Sequence, residues 1–280
     1  MDIGVGLPNT VPGVDRDSIL EFARRGDANG FSSLGTIDRL AYSNYESLIA
    51  LAAAAAVTER IRLLTDILIA PYRANAALLA KQAATIDHLS GGRLTLGLSA
   101  GGREDDYAES GVDFHTRGRR MDEMLDKMEE VWRGDVVGPR PPNGRPEVLI
   151  GGSADAAFRR AARFDGFTQG GGTPDDLRAG IEKAKAAWAA AGRDGAPKIM
   201  ALCYFALGEG AREAADADLK HYYAWLGDEL AEMIAQSAAV GEDMVRGYRD
   251  AFAEAGADEF IYFPTSTDPR QVDLLAEAVL

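Results

Sequence analysis

"ERIRLLTDILIAPYRANAALLAKQAATIDHLSGGRLTLGLSAGGRE", residues 59–104, is the stretch that decides the fold. Its two apolar runs, at 60–70 and 93–98, are of the kind that form short strands. The segment between them, near 75–89, has a helical pattern and ends where Gly91 or Gly92 can form a left-handed cap. A strand, a helix and a second strand predict a right-handed βαβ unit and a parallel sheet.

The same alternation continues along the whole chain. Further apolar runs occur at 2–7, 31–36, 147–152, 165–170, 198–207 and 258–264. Helix-like segments lie near 16–29, 44–58, 118–133, 153–163, 174–191, 211–255 (more than one helix) and 268–279. Eight such units predict an α/β fold, a (β/α)₈ TIM barrel in one domain over 1–280, with insertions after strands 4 and 7. A doubly wound open sheet is the main alternative.

Composition excludes several classes of protein. The net charge of −14 argues against a nucleic-acid partner or an anionic membrane, because either would need a basic face. The single cysteine, Cys203, allows no disulfide or thiolate metal cluster within the chain. The N-terminal residues lack a signal peptide's basic start, and no segment has the roughly 20 apolar residues that span a bilayer. We therefore expect a cytoplasmic protein.

An alanine-rich helix suggests a second subunit. Leu48, Ile49 and "LAAAAAV" at 51–57 make this helix apolar nearly all round, whereas a helix outside a barrel needs only one apolar stripe. The extra apolar face predicts a homodimer. The alternative is that alanine is simply a good helix former that tolerates water.

Three predicted strand ends are rich in glycine: "SAGG" at 99–102, "GGSADAA" at 151–157 and "QGGG" at 169–172. The active site of a barrel lies at the C-terminal ends of its strands, and glycine there lets a flat ligand approach the backbone. Free N–H groups at the start of a helix also suit a phosphate. Alternatively, Ser153 is an N-cap and Asp155 satisfies the helix dipole. The GxGxxG and GxxxxGK spacings are absent.

The histidines of the sequence show no metal-binding pattern. There are three of them, but no HExxH and no His/Asp pair at metal-ligand spacing, so we expect no metal site. Strand ends that carry glycine and lack a strong acid–base motif favour an enzyme whose reactive group is a bound cofactor. An unrelated phosphate-binding barrel, such as an aldolase, would need a lysine at a strand end, whereas Lys198 begins its run.

Residues 59–104 resemble the signature region of the luciferase-like flavin-dependent oxidoreductases, the bacterial luciferase-like monooxygenase family. "DFHTRGRRMDEML" at 113–125 is similar to the start of a family helix through Phe114, Arg117 and Glu123. "PEVLIGGSADAAFRRAARFDGF" at 146–167 resembles the fifth strand, its glycine turn and the next strand. The similarity covers nearly the whole chain.

This resemblance implies a TIM-barrel monooxygenase that uses reduced FMN and oxygen on a small organic substrate. It also implies a homodimer packed through the helices after strands 2 and 3, and a separate flavin reductase as partner. Two alternatives share the fold: a hydride-transfer enzyme using the deazaflavin coenzyme F-420, and a non-catalytic flavin-binding protein. The acidic tail of the deazaflavin would need cations, and the candidates are Arg73, Arg103, Arg117 and Arg119.

The resemblance also implies where the cofactor binds. The phosphate would contact the turn after strand 5, aided by the turn after strand 6. The ring would rest on a bulge with a non-prolyl cis peptide at about Leu68 to Ala70 and against the end of strand 4. The implied cofactor-binding residues are Asp66, Leu68, Ile69, Ala70, Ser99, Ala100, Gly101, Gly151, Gly152, Ser153, Gly170 and Gly171.

One departure from the family pattern concerns catalysis. Many members carry Asp-His after strand 2, where this chain has Asp38-Arg39. Arginine stays protonated and cannot act as a general base, but it can stabilise a developing anion. The alternative is an ion pair between Arg39 and Asp38 or another carboxylate. His115 would supply a proton if its loop folds over the barrel mouth, so the expected catalytic residues are Asp38, Arg39 and His115.

Overall fold

A computed structural model describes residues 1–280 and shows eight parallel strands closed into a barrel. The ring runs from β1 to β7 and returns through β9, because β6 pairs with β7 and β9 lies between β7 and β1. The predicted TIM barrel is therefore confirmed and the open sheet is excluded. The strands are β1 (Asp2–Gly6), β2 (Ser33–Thr36), β3 (Arg62–Ile69), β4 (Leu94–Ser99), β5 (Glu147–Gly151), β6 (Gly166–Gln169), β7 (Lys198–Ala206), β8 (Ala239–Val240) and β9 (Glu259–Pro264).

Helices surround this ring in the expected alternation with the strands. None of them combines the length and the apolar character that crossing a bilayer requires. They are α1 (Arg16–Asn29), α2 (Ser47–Ala55), α3 (Ala76–Leu89), α4 (Glu104–Ser110), α5 (Arg117–Arg133), α6 (Asp155–Ala161), α7 (Pro174–Ala190), α8 (Ala211–Tyr223), α9 (Asp228–Gln236), α10 (Glu242–Ala255) and α11 (Arg270–Val279).

Two connections carry more than the usual single helix. Between β4 and α5 lie α4 and a 3-10 turn at 114–116. Between β7 and α10 lie α8, a 3-10 turn at 224–226, α9 and the two-residue strand β8, which pairs only with the end of β7. Both connections leave the C-terminal ends of their strands, so they add material at the rim where a barrel site forms.

Large side chains fill the inside of the barrel. Leu64, Leu149, Met200, Leu202, Ile261 and Phe263 form one interior cluster. Glycine on β1 and β2 makes this possible, since a Cβ at Gly6 would lie 2.2 Å from the Phe263 ring and one at Gly35 would lie 2.8 Å from it. The interior is thus a packed core, and a ligand has room only at the rim.

The glycines in and after β4 have different reasons to lack a side chain. A Cβ at Gly97 would lie 2.2 Å from the Thr65 carbonyl oxygen, so this glycine lets β3 and β4 approach. Gly101 has a φ of +68° and packs against Ile69, whereas a Cβ at Gly102 would have nothing within 4 Å. Part of the bare stretch therefore accommodates the chain's own β3.

A bulge interrupts β3 next to this approach. The pairing register with β4 shifts between Thr65 and Leu68, and a cis peptide bond joins Asp66 to Ile67. The sequence analysis placed the cis bond at about Leu68 to Ala70, which is too far along the strand. The side chains of Leu68 and Ala70 are fully buried in the core between barrel and helices.

Replacing Gly97 with alanine should destabilise the fold far more than the same change at Gly102. The Gly97→Ala methyl would meet a backbone carbonyl that cannot rotate away, so we expect the free energy of unfolding to fall by about 1–3 kcal/mol. Gly102→Ala is the matched control from the same segment and should change it by less than about 0.5 kcal/mol. Urea denaturation of both variants measures this, and equal losses would contradict the assigned packing role of Gly97.

Candidate active site at the C-terminal rim

Two adjoining cavities open at the C-terminal rim and share Ile67 and Gly170. The first, which we call the glycine cavity, has a volume of about 620 Å³. It lies over the ends of β5 and β6 and the face of α7. Its lining consists of Ile67, Ser99, Gly151, Gly152, Ser153, Phe158, Phe167, Gln169, Gly170, Gly171, Gly172, Asp176, Ala179, Gly180 and Lys183.

The second, which we call the aromatic cavity, has a volume of about 230 Å³. It lies over the ends of β2, β3 and β7 and beneath the segment that follows α8. Its lining consists of Ile37, Asp38, Arg39, Asp66, Ile67, Ile69, Gly101, Gly102, Arg103, Asp106, Gly170, Leu202, Tyr204, Tyr222, Tyr223 and Trp225.

The glycine cavity contains the start of α6. The sequence analysis considered Ser153 as the N-cap, but the N-cap is Ala154, which has no side chain to cap the helix. Gly152, with a φ of +133°, turns the chain from β5 into this helix. Lys183 of α7 is exposed, lines the same cavity and lies 5.7 Å from the Phe158 ring centre. The first turn of α6 already carries Asp155, so the positive charge that this end of the cavity offers an anionic group comes from Lys183.

Asp38 holds the end of β3 in place. Its carboxylate accepts from the Ile69 N–H at 2.9 Å, from the Tyr72 hydroxyl at 2.7 Å and from two Arg73 nitrogens at 2.8 and 3.1 Å. The side chain is fully buried. Three of these bonds end on Oδ2 and one ends on Oδ1. The geometry therefore makes Asp38 a structural anchor of the rim.

Arg39 is paired with α4 and not with its neighbour Asp38. Its Nε donates to Asp106 at 2.8 Å and its Nη2 donates to Asp105 at 2.6 Å. Asp106 in turn accepts from two backbone N–H groups of the loop after β2. Burial is the largest single influence and opposes the charge, but Asp106, Tyr222 and Asp105 together outweigh burial and raise the pKa of Arg39. Of the two interpretations in the sequence analysis, the ion pair with another carboxylate is the one seen.

Asp66 is a buried carboxyl at the floor of the aromatic cavity. Its Oδ1 accepts from the Thr168 hydroxyl at 2.9 Å, while its Oδ2 is buried without a partner. Burial raises the pKa of Asp66 to about 7, and the charge of Glu259 adds to the rise. Near neutral pH this carboxyl can therefore keep its proton and act as a hydrogen-bond donor.

Aromatic rings surround Arg103 in the wall of the aromatic cavity. Its guanidinium carbon lies 4.4 Å from the Tyr222 ring centre, 4.6 Å from that of Trp225 and 5.6 Å from that of Tyr223. The Tyr223 hydroxyl is 2.9 Å from the hydroxyl of Tyr204. These contacts fix the arginine in the wall of the cavity.

The expected site residues divide into two groups. Those brought to the two cavities are Asp38, Arg39, Asp66, Ile69, Ser99, Gly101, Gly151, Gly152, Ser153, Gly170 and Gly171. Leu68, Ala70 and Ala100 lie outside the linings, and the Ala100 carbonyl accepts from the Tyr107 hydroxyl at 2.5 Å. His115 is exposed in the 3-10 turn after α4, with its ring against Phe114 and away from both linings. The fold gives its expected catalytic role no support.

Sequence reasoning did not assign the residues that build much of the aromatic wall. Tyr222, Tyr223 and Trp225 belong to the connection after β7, and Tyr204 lies in β7 itself. The dense run "HYYAW" at 221–225 was the available signal, because so many aromatic residues at a predicted rim segment favour a binding surface. Lys183 was also missed, since its place on α7 gives no local signature.

The fold and the rim cavities define a TIM barrel with a candidate site at the C-terminal ends of its strands, and the sequence comparison identifies the family. The chain belongs to the luciferase-like monooxygenase family, which matches residues 1–262. An uncharacterised protein of Mycobacterium tuberculosis is 34% identical over 202 residues, covering 59% of this chain and 69% of that protein. The pyrimidine monooxygenase RutA of Stutzerimonas stutzeri is 27% identical over 216 residues, covering 66% of this chain and 59% of RutA.

Solved structures agree on the fold over essentially the full length. Monooxygenase RslO1 from Streptomyces bottropensis superimposes with a TM-score of 0.83 at 22% identity, covering 99% of this chain and 98% of RslO1. An F420-dependent secondary alcohol dehydrogenase in complex with an F420-acetone adduct has a TM-score of 0.80 at 17% identity, covering 100% and 98%. At these identities the likeness concerns the fold alone.

Asp66 should make the stability of the protein depend on pH. Its pKa in the folded state, about 7, exceeds the ordinary value of 3.8, so the folded state binds the proton more tightly than the unfolded chain. Its stabilising contribution is full below 3.8 and is lost as the pH rises through 7. Relative to Asp66→Asn, wild type should lose up to about 4 kcal/mol across this window.

Urea denaturation at a series of pH values measures this difference. Asp122→Asn is the control of opposite sign, because Arg160 lowers the pKa of Asp122 and that carboxylate stabilises the fold only above the acid range. A wild-type and Asp66→Asn difference that stays constant with pH would show that the buried carboxyl does not take up a proton.

Proposed function

We propose that the protein is a flavin-dependent monooxygenase that uses reduced FMN and oxygen on a small organic substrate. The observation that carries this proposal is the junction of the two rim cavities at Ile67 and Gly170. The glycine cavity offers groups for a phosphate, and the floor that it shares with the aromatic cavity can carry a flat ring. A flavin mononucleotide has both a phosphate and a flat ring, and the rest of the aromatic cavity is left for the substrate. The family to which the chain belongs supports the activity.

The glycine cavity suits the phosphate end. The uncapped start of α6, the Ser153 hydroxyl and the Lys183 ammonium together provide backbone donors, a hydroxyl and a positive charge. A Cβ at Gly170 or Gly171 would have nothing within 4 Å, so the turn after β6 leaves open space beside these groups. We assign Gly151, Gly152, Ser153, Gly170 and Gly171 to this cradle, joined by Lys183.

The floor shared by the two cavities suits the ring. Ile67 lies over Gly151, since a Cβ there would come 2.3 Å from the Ile67 Cδ1 atom. Asp66 beneath it offers a protonated Oδ2 that has no partner in the chain. When bound, reduced FMN would supply the electrons that activate oxygen. The residues of the chain hold the ring, exclude water and keep a proton at Asp66.

The remaining polar residues of the aromatic cavity shape its wall. Asp38 fixes the end of β3 through Ile69, and Arg39 joins the loop after β2 to α4 through Asp105 and Asp106. In this proposal both residues position the site. Arg39 keeps its positive charge at the cavity, where it can favour negative charge that develops in the reaction.

FMN suits the charges at the rim better than the deazaflavin does. Of the four arginines considered for an acidic tail, Arg73 is bound to Asp38 and Glu46, and Arg119 pairs with Glu123 on the surface of α5. Arg117 lies over the Phe114 ring at 3.7 Å, and Arg103 is enclosed by aromatic rings. These four do not form the row of free cations that a long polyanionic tail would need.

The proposal also includes two partners. The glycine cavity is assigned to flavin and the aromatic cavity to the organic substrate, so neither is assigned to a reductant. A separate flavin reductase would therefore supply the reduced cofactor. A second copy of the chain would cover the apolar faces of α2 and α3, where Ile49 is 64% and Leu78 is 52% exposed.

Titration with FMN and with the deazaflavin, each oxidised and reduced, tests the proposal. A ligand that binds only the folded state raises Tm, so saturation with reduced FMN at about one hundred times its Kd should add about 2.7 kcal/mol of stability. Differential scanning fluorimetry with both cofactors measures this. If neither redox state of either cofactor raises Tm, the flavin assignment is wrong.

A substitution at Gly152 tests whether this glycine serves FMN binding or only the fold. Replacing Gly152 with valine strains the backbone at a φ of +133° and brings a Cβ to 3.2 Å from Ala157. It also places a branched side chain in the proposed phosphate cradle, so FMN binding should lose more free energy than folding does. Lys183→Met is the companion variant, because it removes only an exposed charge. It should weaken FMN binding with an unchanged Tm in the absence of ligand. Equal losses of Tm and affinity in Gly152→Val would identify the glycine as a simple turn residue.

A further inference from the structure

Arg103 is the arginine of the aromatic cavity that no carboxylate balances. The cavity lining contains two arginines. Arg39 is paired with Asp105 and Asp106, and Arg103 forms no ion pair within 4.0 Å. Its polar contacts within the chain are two bonds from Nη1 and Nη2 to the Tyr222 carbonyl, both at 3.3 Å. Those distances exceed the usual range for an N–H donor and an oxygen.

The carboxylates in the same lining do not supply the missing charge. Asp38 is committed to Arg73, and Asp106 is committed to Arg39. Asp66 is kept neutral by burial up to a pKa of about 7. Arg39 adds repulsion and, after burial, helps to lower the pKa of Arg103. A guanidinium nevertheless stays protonated near neutral pH, so the cavity holds an uncompensated positive charge.

The surroundings of Arg103 define what would balance that charge. Three aromatic rings fix the guanidinium plane, so its donors are already oriented before a ligand arrives. A planar fork of donors matches the two oxygens of a carboxylate. The cavity also has an apolar part of its wall, which includes Ile37, Leu202 and Tyr204. One arginine and flat apolar walls suit a monoanion with a flat body.

We propose that Arg103 binds the carboxylate of a planar, aromatic organic acid that is the substrate of this enzyme. The phosphate of the cofactor has its own groups in the glycine cavity, so the charge at Arg103 is available for a second molecule. Because it places that acid as the substrate of the proposed monooxygenase, this inference rests on the proposed function. The binding step itself is measurable without turnover.

Isothermal titration calorimetry of the full chain, with and without FMN, tests the proposal. The probes are 2-naphthoate and 2-naphthamide, which share a flat shape and differ in charge. Wild type should bind the acid about tenfold or more tightly than the amide, the range expected for hydrogen bonds to a charged group. Arg103→Met should abolish that preference by weakening acid binding and leaving amide binding nearly unchanged. Arg103→Lys, which keeps the charge without the fork, should fall between the two.

Arg119→Met is the matched control, because Arg119 is an exposed arginine of α5 paired with Glu123, and its acid preference should equal that of wild type. Equal binding of acid and amide by wild type, or no binding of the acid, overturns the proposal. An equal loss of both probes in Arg103→Met also overturns it, since Arg103 would then only support the wall. A chain that prefers the acid through Arg103 but binds no flavin keeps the acid-binding site, refutes the proposed function and removes the acid's assignment as substrate.

Discussion

The rim of this barrel depends on buried pairs between carboxylates and guanidinium groups. Asp38 receives the Arg73 guanidinium together with the Ile69 N–H, and it thereby ties the loop after β2 to the end of β3. Breaking such a pair would leave a buried charge uncompensated, which costs about 3–5 kcal/mol. Arg39 and Asp106 form a second buried pair, which joins the loop after β2 to α4. Because both partners of each pair belong to the chain, the cavity walls are held in place without a ligand.

Arg73 and Arg39 are paired with carboxylates at the rim, so the polar groups of the rim that lack a partner stand out. Along the two adjoining cavities, three groups are left without a matching partner: the start of α6 has no side-chain cap, the Asp66 Oδ2 atom has no hydrogen bond, and the charge of Arg103 has no carboxylate. Unpaired polar groups that line a cavity are available to a ligand. The proposed phosphate, ring and substrate acid each correspond to one of them.

The sequence was sufficient to predict the barrel and the general position of its site. Alternating apolar runs and helical patterns report local propensity and burial, and every barrel strand lay within two residues of a predicted run. The glycine turn at 151–153 was found from the sequence because its backbone conformation favours glycine, and the glycines are visible in the sequence. The pairing of Arg39 with α4, by contrast, depends on how a connection folds back over the rim. No local pattern encodes that contact. The place of Tyr222, Tyr223 and Trp225 at the rim depends on the fold of a connection in the same way, although their aromatic run is visible in the sequence.

Much of the aromatic wall comes from one continuous piece of chain. The connection after β7 packs on a small apolar cluster of its own, formed by Ala206, Ala211, Ala215, Leu219, Ala235 and Ala238. It contributes no strand to the closed ring, because β8 pairs only at the edge of β7. The part of the aromatic wall that this segment supplies can therefore diverge while the strands, their interior packing and the cofactor cradle stay as they are. In such an architecture, changes in the connection after β7 alter substrate specificity without altering the barrel.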